Sequence, residues 1–317
     1  MESIVILYGG ISPERDVSLV SGTEVGRVLT EADYSVSYLD PGDYPDLALL
    51  IQAIRELKPS MVFNALHGGS GENGQLAAAL ELAHIPFTGS GSKASTIAMD
   101  KYIAKLVVGA EGIPLAKHIL LRANLLEDYN DPQDYSTFTD TLGLPLIVKP
   151  NDAGSSVGIT IVHELTELKP AVEDAFRYCS SVLLEEYIEG RELTVSILDG
   201  KALPVVEIRP HAGWYDYHNK YTKGKTEYLA PAPIDEATFQ LCQLYAERAF
   251  FALGCTVYGR VDFRLRANRP YFLEVNTLPG MTSLSLTPMA ARAAGMSFPE
   301  LLQQIIKLSR KPNVEET

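Results

Sequence analysis

The spacing of apolar positions changes several times over the first hundred residues. SIVILYGG opens with an unbroken apolar run and reads as a strand. DVSLVSGTEVGRVLTEAD follows with helical spacing, and YSVSYLD returns to a strand. PDLALLIQAIRELK is helical, SMVFNALHG is a strand, and GQLAAALELAH is a helix that leads into a fourth strand at IPFTGSG. This βαβαβαβ order predicts a mostly parallel sheet flanked by helices. Ligands of such sheets gather beyond the carboxyl ends of the strands. Here those ends are YGGISPER, ALHGGSGENG and FTGSGS, all rich in glycine and polar residues.

The pattern then changes character. One helix is expected from Ser92 to about Gly112. From Leu144 to Arg209 short strands dominate, separated by one helix, ELKPAVEDAFRY. After a polar, aromatic stretch at 211–230 come a helix (DEATFQLCQLYAERAFFAL), two strands and a C-terminal helix ending in LLQQIIKL. The expected class is α/β. Three domains form the natural parse: an N-terminal α/β domain at 1–97, a central domain at 98–184 and a C-terminal domain at 185–317. No internal repeat or low-complexity tract is present.

The two late strands carry the sharpest chemical signal. In YGRVDFRL, Tyr258, Arg260 and Asp262 share one face, and Val261, Phe263 and Leu265 the other. In PYFLEVNTLPG, Glu274 and Asn276 share a face opposite Leu273 and Val275. A hairpin turning about Asn268 without a bulge sets Asp262 opposite Glu274 and Arg260 opposite Asn276. Directly opposed carboxylates repel, so either a cation sits between them or the face is simply solvated. Hard oxygen ligands without Cys or His select Mg²⁺ or Mn²⁺, which usually also coordinates a substrate phosphate.

Composition narrows the partners. Twenty-seven basic residues against 40 acidic ones give a formal charge of −13, with no basic run, which argues against nucleic acid. A phosphate-bearing ligand would therefore need local lysines, helix N-termini or a metal ion. Cys179, Cys242 and Cys255 form neither a zinc pattern nor a disulfide framework and read as reduced thiols. No apolar run approaches membrane-spanning length, and the N-terminus lacks a signal-peptide pattern. A cytoplasmic location without a membrane partner is expected.

KPNDAGSSVGITIV, residues 149–162, joins two strand-like runs through a hydroxyl-rich loop with a lysine at its base. Such a loop can merely turn the chain. It can also act as a flap whose N–H groups close on an anion beside Lys149. It is not a Walker A loop.

Taken in order, these segments resemble the D-alanine–D-alanine ligases of the ATP-grasp superfamily. YGGISPERDVSLVSG, ALHGGSGENG, MDKYIAK, VKPNDAGSSVG, LLEEYIEGRELTVSIL, YDYHNKYTKGK and GRVDFRLRANRPYFLEVNTLPGMTSLSL follow the family's order over nearly the whole chain. The resemblance implies a three-domain ATP-grasp architecture: an N-terminal parallel α/β domain and two α+β domains enclosing ATP. Lys101 and Lys149 match phosphate-contacting lysines, with Ser156 in the loop over the phosphates. Glu185, Tyr187 and Ile188 match the adenine-binding strand, and Glu192 the ribose-binding acid. Asp262, Glu274 and Asn276 match ligands of two Mg²⁺ (or Mn²⁺) ions. Glu14 matches the acid that grips the first D-alanine's ammonium, with His67 beside it and Ser155 and Tyr221 in its hydrogen-bond network. Arg260 and the Gly280 N–H match the oxyanion donors, while Lys220, Ser285 and Leu286 match the surroundings of the second D-alanine. A homodimer and a role in peptidoglycan precursor synthesis are also implied.

Taken singly, several of these residues have plainer readings. Glu14 also fits a capping or surface acid, His67 a satisfied strand-end histidine, and Arg260 a structural partner of Asp262. Glu72 and Asn73 fit caps of the following helix. The chain departs from the family's usual GEDGxxQG at GENGQLAA, carries Leu284 where a polar residue is usual, and has Pro13 beside Glu14. These departures touch substrate specificity more than reaction type. An ATP-grasp ligase for another amino acid or hydroxy acid, and a nucleotide-binding protein without turnover, remain the alternatives. A dehydrogenase reading rests on GSGSKA alone, which lacks the third glycine of a dinucleotide fingerprint.

Overall fold

The computed structural model describes residues 2–123, 131–154, 157–211 and 224–310. The first layer consists of β1 (Ser3–Leu7), α1 (Arg15–Glu31), β2 (Ser35–Leu39), α2 (Leu47–Leu57), β3 (Met61–Asn64), α3 (Gly69–Glu72) and α4 (Gln75–Leu82). Its strands are parallel in the order β2-β1-β3. Ile4 and Ile6 point into one apolar cluster, Val5 and Leu7 into another, and all four are fully buried. That two-sided burial is why β1 has no polar alternation. The expected fourth strand at 85–91 is reduced to a single parallel bridge between Val62 and Phe87. Pro86 has no N–H to offer, and Gly89 turns the chain away at φ +98°.

The single helix expected from Ser92 is instead two, α5 (Ser92–Met99) and α6 (Lys101–Ala110). Asp100 breaks them apart with an extended ψ of 98°. Its carboxylate accepts from the Ile103 N–H, capping α6, and also from Asn151 Nδ2 at 2.8 Å. The break is thus fixed by a contact 51 residues away in sequence.

The second sheet contains β4 (His118–Arg122), β5 (Leu146–Pro150), β6 (Thr160–Val162) and β7 (Ser181–Glu186), antiparallel in the order β4-β7-β5-β6. Helices α7 (Ser136–Leu142) and α8 (Leu165–Ala175) cover it through Phe138, Leu142, Leu168 and Val172. The third sheet contains β8 (Arg191–Leu198), β9 (Lys201–Ala202), β10 (Val206–Pro210), β11 (Thr226–Leu229), β12 (Tyr258–Arg266) and β13 (Arg269–Asn276). Its order is β11-β10-β8-β12-β13, with β9 on β8. One face packs under α5, α6 and α9 (Glu236–Ala252) through Ala98, Ala104, Val108, Cys242, Ala246, Phe263 and Phe272.

The chain returns to its start through α10 (Leu286–Ala293) and α11 (Phe298–Leu308). Leu301, Leu302, Ile305 and Ile306 are fully buried in the cluster that holds Ile4, Ile6 and Phe63. Each such side chain contributes about 1.5–3 kcal/mol of burial free energy. Ser297 and Glu300 form a capping box that starts α11. Among the described residues, no helix is long and apolar enough to cross a membrane.

The β12–β13 hairpin pairs Asp262 with Glu274 and Arg260 with Asn276, as alternation predicts, but by a different route. Ala267 and Asn268 form a tight two-residue turn, with φ of 49° and 59°. That turn alone would offset the register by one residue. A β-bulge beyond the Phe263–Phe272 pair restores it, leaving Leu273 as the extra residue. The bulge also returns Phe272 to the core face, its ring centroid 6.3 Å from that of Phe263.

Candidate active site

Asp262 and Arg260 lie on β12, buried to 7% and 6% exposure. Arg260 donates from Nε to Asp262 Oδ1 at 2.9 Å and from Nη2 to Oδ2 at 2.8 Å. Thr194 of β8, opposite Asp262 in the ladder, donates its hydroxyl to Oδ1 at 2.6 Å. Both Asp262 oxygens are thereby fixed. Glu274 is more open and meets Lys101 Nζ at 3.2 Å. Asn276 Oδ1 accepts from the Leu278 N–H at 3.1 Å, which orients the amide.

Among the described residues no group of three or more His, Cys, Asp and Glu gathers as a metal cluster. The donor set nevertheless fits a hard divalent cation. Two carboxylates and an amide oxygen on one face suit Mg²⁺, which usually takes one or two carboxylates and leaves its other positions to water and phosphate. Glu192 of β8, opposite Arg264 of β12, records the same negative field. Burial pushes its carboxyl up to about 7, with Asp262 and Glu274 adding to the rise and Arg264 at 3.2 Å opposing it.

The phosphate-lysine candidates are buried as well. Lys101 begins α6 and is held from three sides: its N–H donates to Asn151 O, and its Nζ reaches both Ala153 O at 2.7 Å and Glu274. It therefore joins the base of the loop after β5 to the strand carrying Glu274 and Asn276, the candidate metal ligands. Lys149, on β5, forms an ion pair with Glu185 of β7. Glu185 also pairs with Lys105 of α6, at 2.7 Å. Its carboxyl is 2% exposed, so burial alone would raise its pKa, but the two lysine charges outweigh that and hold it down at about 2. Tyr187 and Ile188 follow β7, with Ile188 O accepting from Arg264 Nε at 3.1 Å. The Arg264 guanidinium lies 5.9 Å from the Tyr187 ring.

The hairpin expected at 149–162 forms, with Leu146 opposite Val162 and Val148 opposite Thr160. Ser155 and Ser156 at its tip lie outside the described residues, as do Lys220 and Tyr221. At its base, a β-carbon on Gly158 would stand 2.7 Å from the Tyr178 ring, so only glycine fits at this φ of +69°.

Glu14 stands at the N-terminus of α1, where its carboxylate packs between two glycine backbones. A β-carbon on Gly68 would lie 2.4 Å from Glu14 Oε2, and one on Gly154 would lie 3.0 Å away. The loops after β1, β3 and β5 therefore converge on this carboxylate. Ser12 donates to His67 O at 2.5 Å, and the His67 ring meets Ser21 Oγ at 3.2 Å. Asp40 supports the same loop by accepting from the Gly10 and Gly42 N–H groups, both at 2.8 Å, and pairing with Arg15. Glu72 reaches back to the Gly68 N–H at 3.0 Å, while Asn73 accepts from the Gln75 N–H at the start of α4. A chamber of about 40 Å³ lies between Glu14, Glu72, Lys101, Gly154, Glu274 and Asn276, so the Glu14 carboxylate and the candidate metal ligands line one space. A wider concavity of about 980 Å³, lined by Glu81, His84, Asp199 and Phe251, opens elsewhere and contains none of these groups.

Gly280 lies close under Ser285, whose hydroxyl is 3.1 Å from the position a β-carbon would take. The Thr282 N–H donates to Ser285 Oγ at 3.1 Å, and Ser285 N donates back to Thr282 O at 2.9 Å. Leu286 is 7% exposed and packs in the cluster with Tyr258 and Ala290.

Comparison with known proteins decides the family. The model of the D-ala D-ala ligase C-terminus matches residues 107–307. A D-alanine–D-alanine ligase from Syntrophotalea carbinolica is 43% identical over 310 residues, covering 96% of this chain and 95% of that protein. The chain belongs to the D-alanine–D-alanine ligase family.

Another family member, from Actinobacillus pleuropneumoniae serotype 5b, is 41% identical over 97% of this chain and 98% of its own. Among solved structures, the D-alanine–D-alanine ligase of Bacillus anthracis superposes with a TM-score of 0.85 at 37% identity, covering 98% of this chain and 97% of that one. Its complex with ATP gives 0.83 at 35% identity, with the same coverage. The VanG D-Ala:D-Ser ligase of Enterococcus faecalis gives 0.82 at 30% identity, covering 97% of this chain and 99% of that one. The ATP-grasp fold and the ligase class follow from these likenesses.

Two site residues escape sequence reading. Thr194 is one hydroxyl in an alternating strand, and only the β8–β12 register places it on Asp262. Lys105 sits in MDKYIAK four residues after Lys101. Two lysines at that spacing share a helix face and repel, so each needs a counter-anion; that was the available signal.

Proposed function

We propose that this chain joins two D-alanine molecules at the expense of ATP, the reaction of its family, with the residues gathered between the second and third sheets holding the nucleotide. Lys101 carries the reading most directly, because one ammonium touches both the flap base and the candidate metal-ligand strand. Lys101 and Lys149 would neutralise phosphate oxygens. Tyr187 and Ile188 would offer backbone groups to the adenine, and Glu192 would accept from ribose hydroxyls. Asp262, Glu274 and Asn276 would hold Mg²⁺ or Mn²⁺, two ions in all, which when bound supply charge neutralisation at the transferring phosphoryl group.

Glu14 would grip the first D-alanine's ammonium beside His67, so that the carboxylate of that D-alanine attacks the γ-phosphate, with ADP leaving, to form D-alanyl phosphate. The second D-alanine would lie near Ser285, Leu286 and Lys220, and its amine would attack the acyl carbon with loss of phosphate. Arg260 and the Gly280 N–H would stabilise the tetrahedral oxyanion. Closure of the flap through Ser155, Ser156 and Tyr221 would exclude water from the acyl phosphate. A homodimer working in the cytoplasm on peptidoglycan precursors completes the proposal.

The likeness to a D-Ala:D-Ser ligase makes the second substrate the point to test. Phosphate release from Mg·ATP should be measured with D-alanine alone, L-alanine alone, and D-alanine with D-serine or D-lactate, with products weighed by mass spectrometry. D-alanine-dependent release with a D-alanyl-D-alanine mass is expected. A dominant mixed product would move the specificity, and no release in any arm would refute the catalytic reading.

A further inference from the structure

Lys105 is fully buried, carries a charged group, and has no part in the reaction as derived above. Its Nζ lies 2.7 Å from Glu185 Oε1 on the second sheet and donates to Phe272 O on the third at 3.1 Å. It also stands 5.5 Å from the Phe272 ring centroid. Phe272 is the residue just before the bulge, two positions from Glu274. Glu185 holds Lys149 on its other oxygen. A continuous polar chain thus runs Phe272 O, Lys105, Glu185, Lys149, crossing beneath the nucleotide cleft from one sheet to the other.

The charges in this chain do not cancel. A carboxylate with one lysine would be a neutral buried pair, and Lys149 would have to give up its only anion to meet a phosphate. With two lysines on one carboxylate the cluster carries a net positive charge when both are protonated, burial pushing the Lys105 ammonium down and Glu185 opposing that, and each cation is held by a shared anion. Buried charges interact strongly because water does not screen them. Lys105 therefore loosens the hold of Glu185 on Lys149 while keeping Glu185 ionised and in place.

We propose that Lys105 is a positioning residue for nucleotide binding: it leaves the charge of Lys149 available to phosphate and ties that lysine's strand to the strand of Glu274. This rests on the assignment of Lys149 to the phosphates. The test uses direct binding to the full chain, by calorimetry with Mg·ATP, Mg·ADP and adenosine, for Lys105→Met, Lys149→Met and the double variant. Lys105→Met leaves Glu185 and Lys149 as a compensated pair, so the fold should persist. Lys105→Gln, which keeps an N–H for Phe272 O, provides a second variant.

Loss of Lys105 is expected to weaken ATP and ADP about tenfold or more while adenosine affinity stays within about twofold, and to add nothing once Lys149 is gone. Unchanged ATP affinity in either Lys105 variant would overturn the proposal. So would an equal loss for adenosine, which would mark a purely structural role, or additive losses in the double variant. A wild-type chain that binds no ATP would overturn the underlying site assignment as well, and so differs from failure of the Lys105 idea alone.

Discussion

Gly68→Ala separates the geometry around Glu14 from general damage to its loop. Gly68 has φ 64° and ψ 178°, a region open essentially to glycine, so any side chain there costs on the order of 1–3 kcal/mol. The added β-carbon would stand 2.4 Å from Glu14 Oε2, and β-carbons do not approach closer than 3.0 Å, so the carboxylate must withdraw by at least the 0.6 Å difference. A charge-assisted hydrogen bond is worth about 1.5–3 kcal/mol, and each 1.4 kcal/mol is tenfold. The KM for the first D-alanine should therefore rise roughly 10- to 100-fold, with kcat much less affected. Gly69→Ala is the control. It also has positive φ, at 52°, but its β-carbon would meet only Ser12 Cβ at 3.4 Å, an ordinary contact. Initial rates across D-alanine concentrations at saturating ATP, with urea unfolding of each variant, make the comparison. Equal KM changes in the two variants, or a wild-type KM in Gly68→Ala, would refute the placement of Glu14.

Asp262→Asn and Lys149→Ala should each abolish turnover while retaining a cooperative urea transition; near-normal rates in either would remove that residue from the site. Glu185 links stability to acid: its folded pKa of about 2 lies below the ordinary 4.5, so its contribution is complete above pH 4.5 and is lost as pH falls toward 2. That shift is worth on the order of 3 kcal/mol, and Glu185→Gln, although less stable near neutrality, should show a flatter loss of stability from pH 5 to 3. Glu192 has the opposite sign, since its folded value of about 7 means that stability falls as pH rises from 4.5 through 7. In metal-free protein Glu192→Gln should gain on the wild type between pH 5 and 8 in urea titrations, and no relative gain would refute the raised value. Burial pushes the Cys242 and Cys255 thiols up to about 12. A thiol reagent at pH 8 should leave both unmodified until the protein unfolds, with Cys179 reacting first.

Much of the architecture is legible in the chain because its causes are local. The apolar run of β1, the Asp235 cap before α9 and the alternation in β12 each declare an element within a few residues. The misses have distant causes. The break at Asp100 depends on Asn151, and the missing fourth strand on the turn at Gly89. The Asp262–Glu274 pairing was reached through two offsets that cancel, a two-residue turn and a bulge. In the site, charged residues in motifs were visible, but their partners were not. Arg260 is a bidentate partner of Asp262 in this structure, so the plain reading of that residue holds, while its match to an oxyanion donor belongs to the proposal. Glu185 looks like a nucleotide contact in sequence, yet its carboxylate faces two lysines inside the protein.

The bulge at Leu273 has a consequence for how this hairpin can vary. Because Leu273 is the extra residue, a chain lacking it would join Phe272 directly to Glu274 and keep Phe272 on the core face and Glu274 and Asn276 on the cleft face. Side chains alternate with a period of two, so loss of Val275 instead would bring Asn276 onto the core face beneath α9. The same one-residue change is absorbed at one position of β13 and disruptive two positions further on. Leu273 is slack in the strand, a place where the chain can shorten without moving the residues that face the cleft.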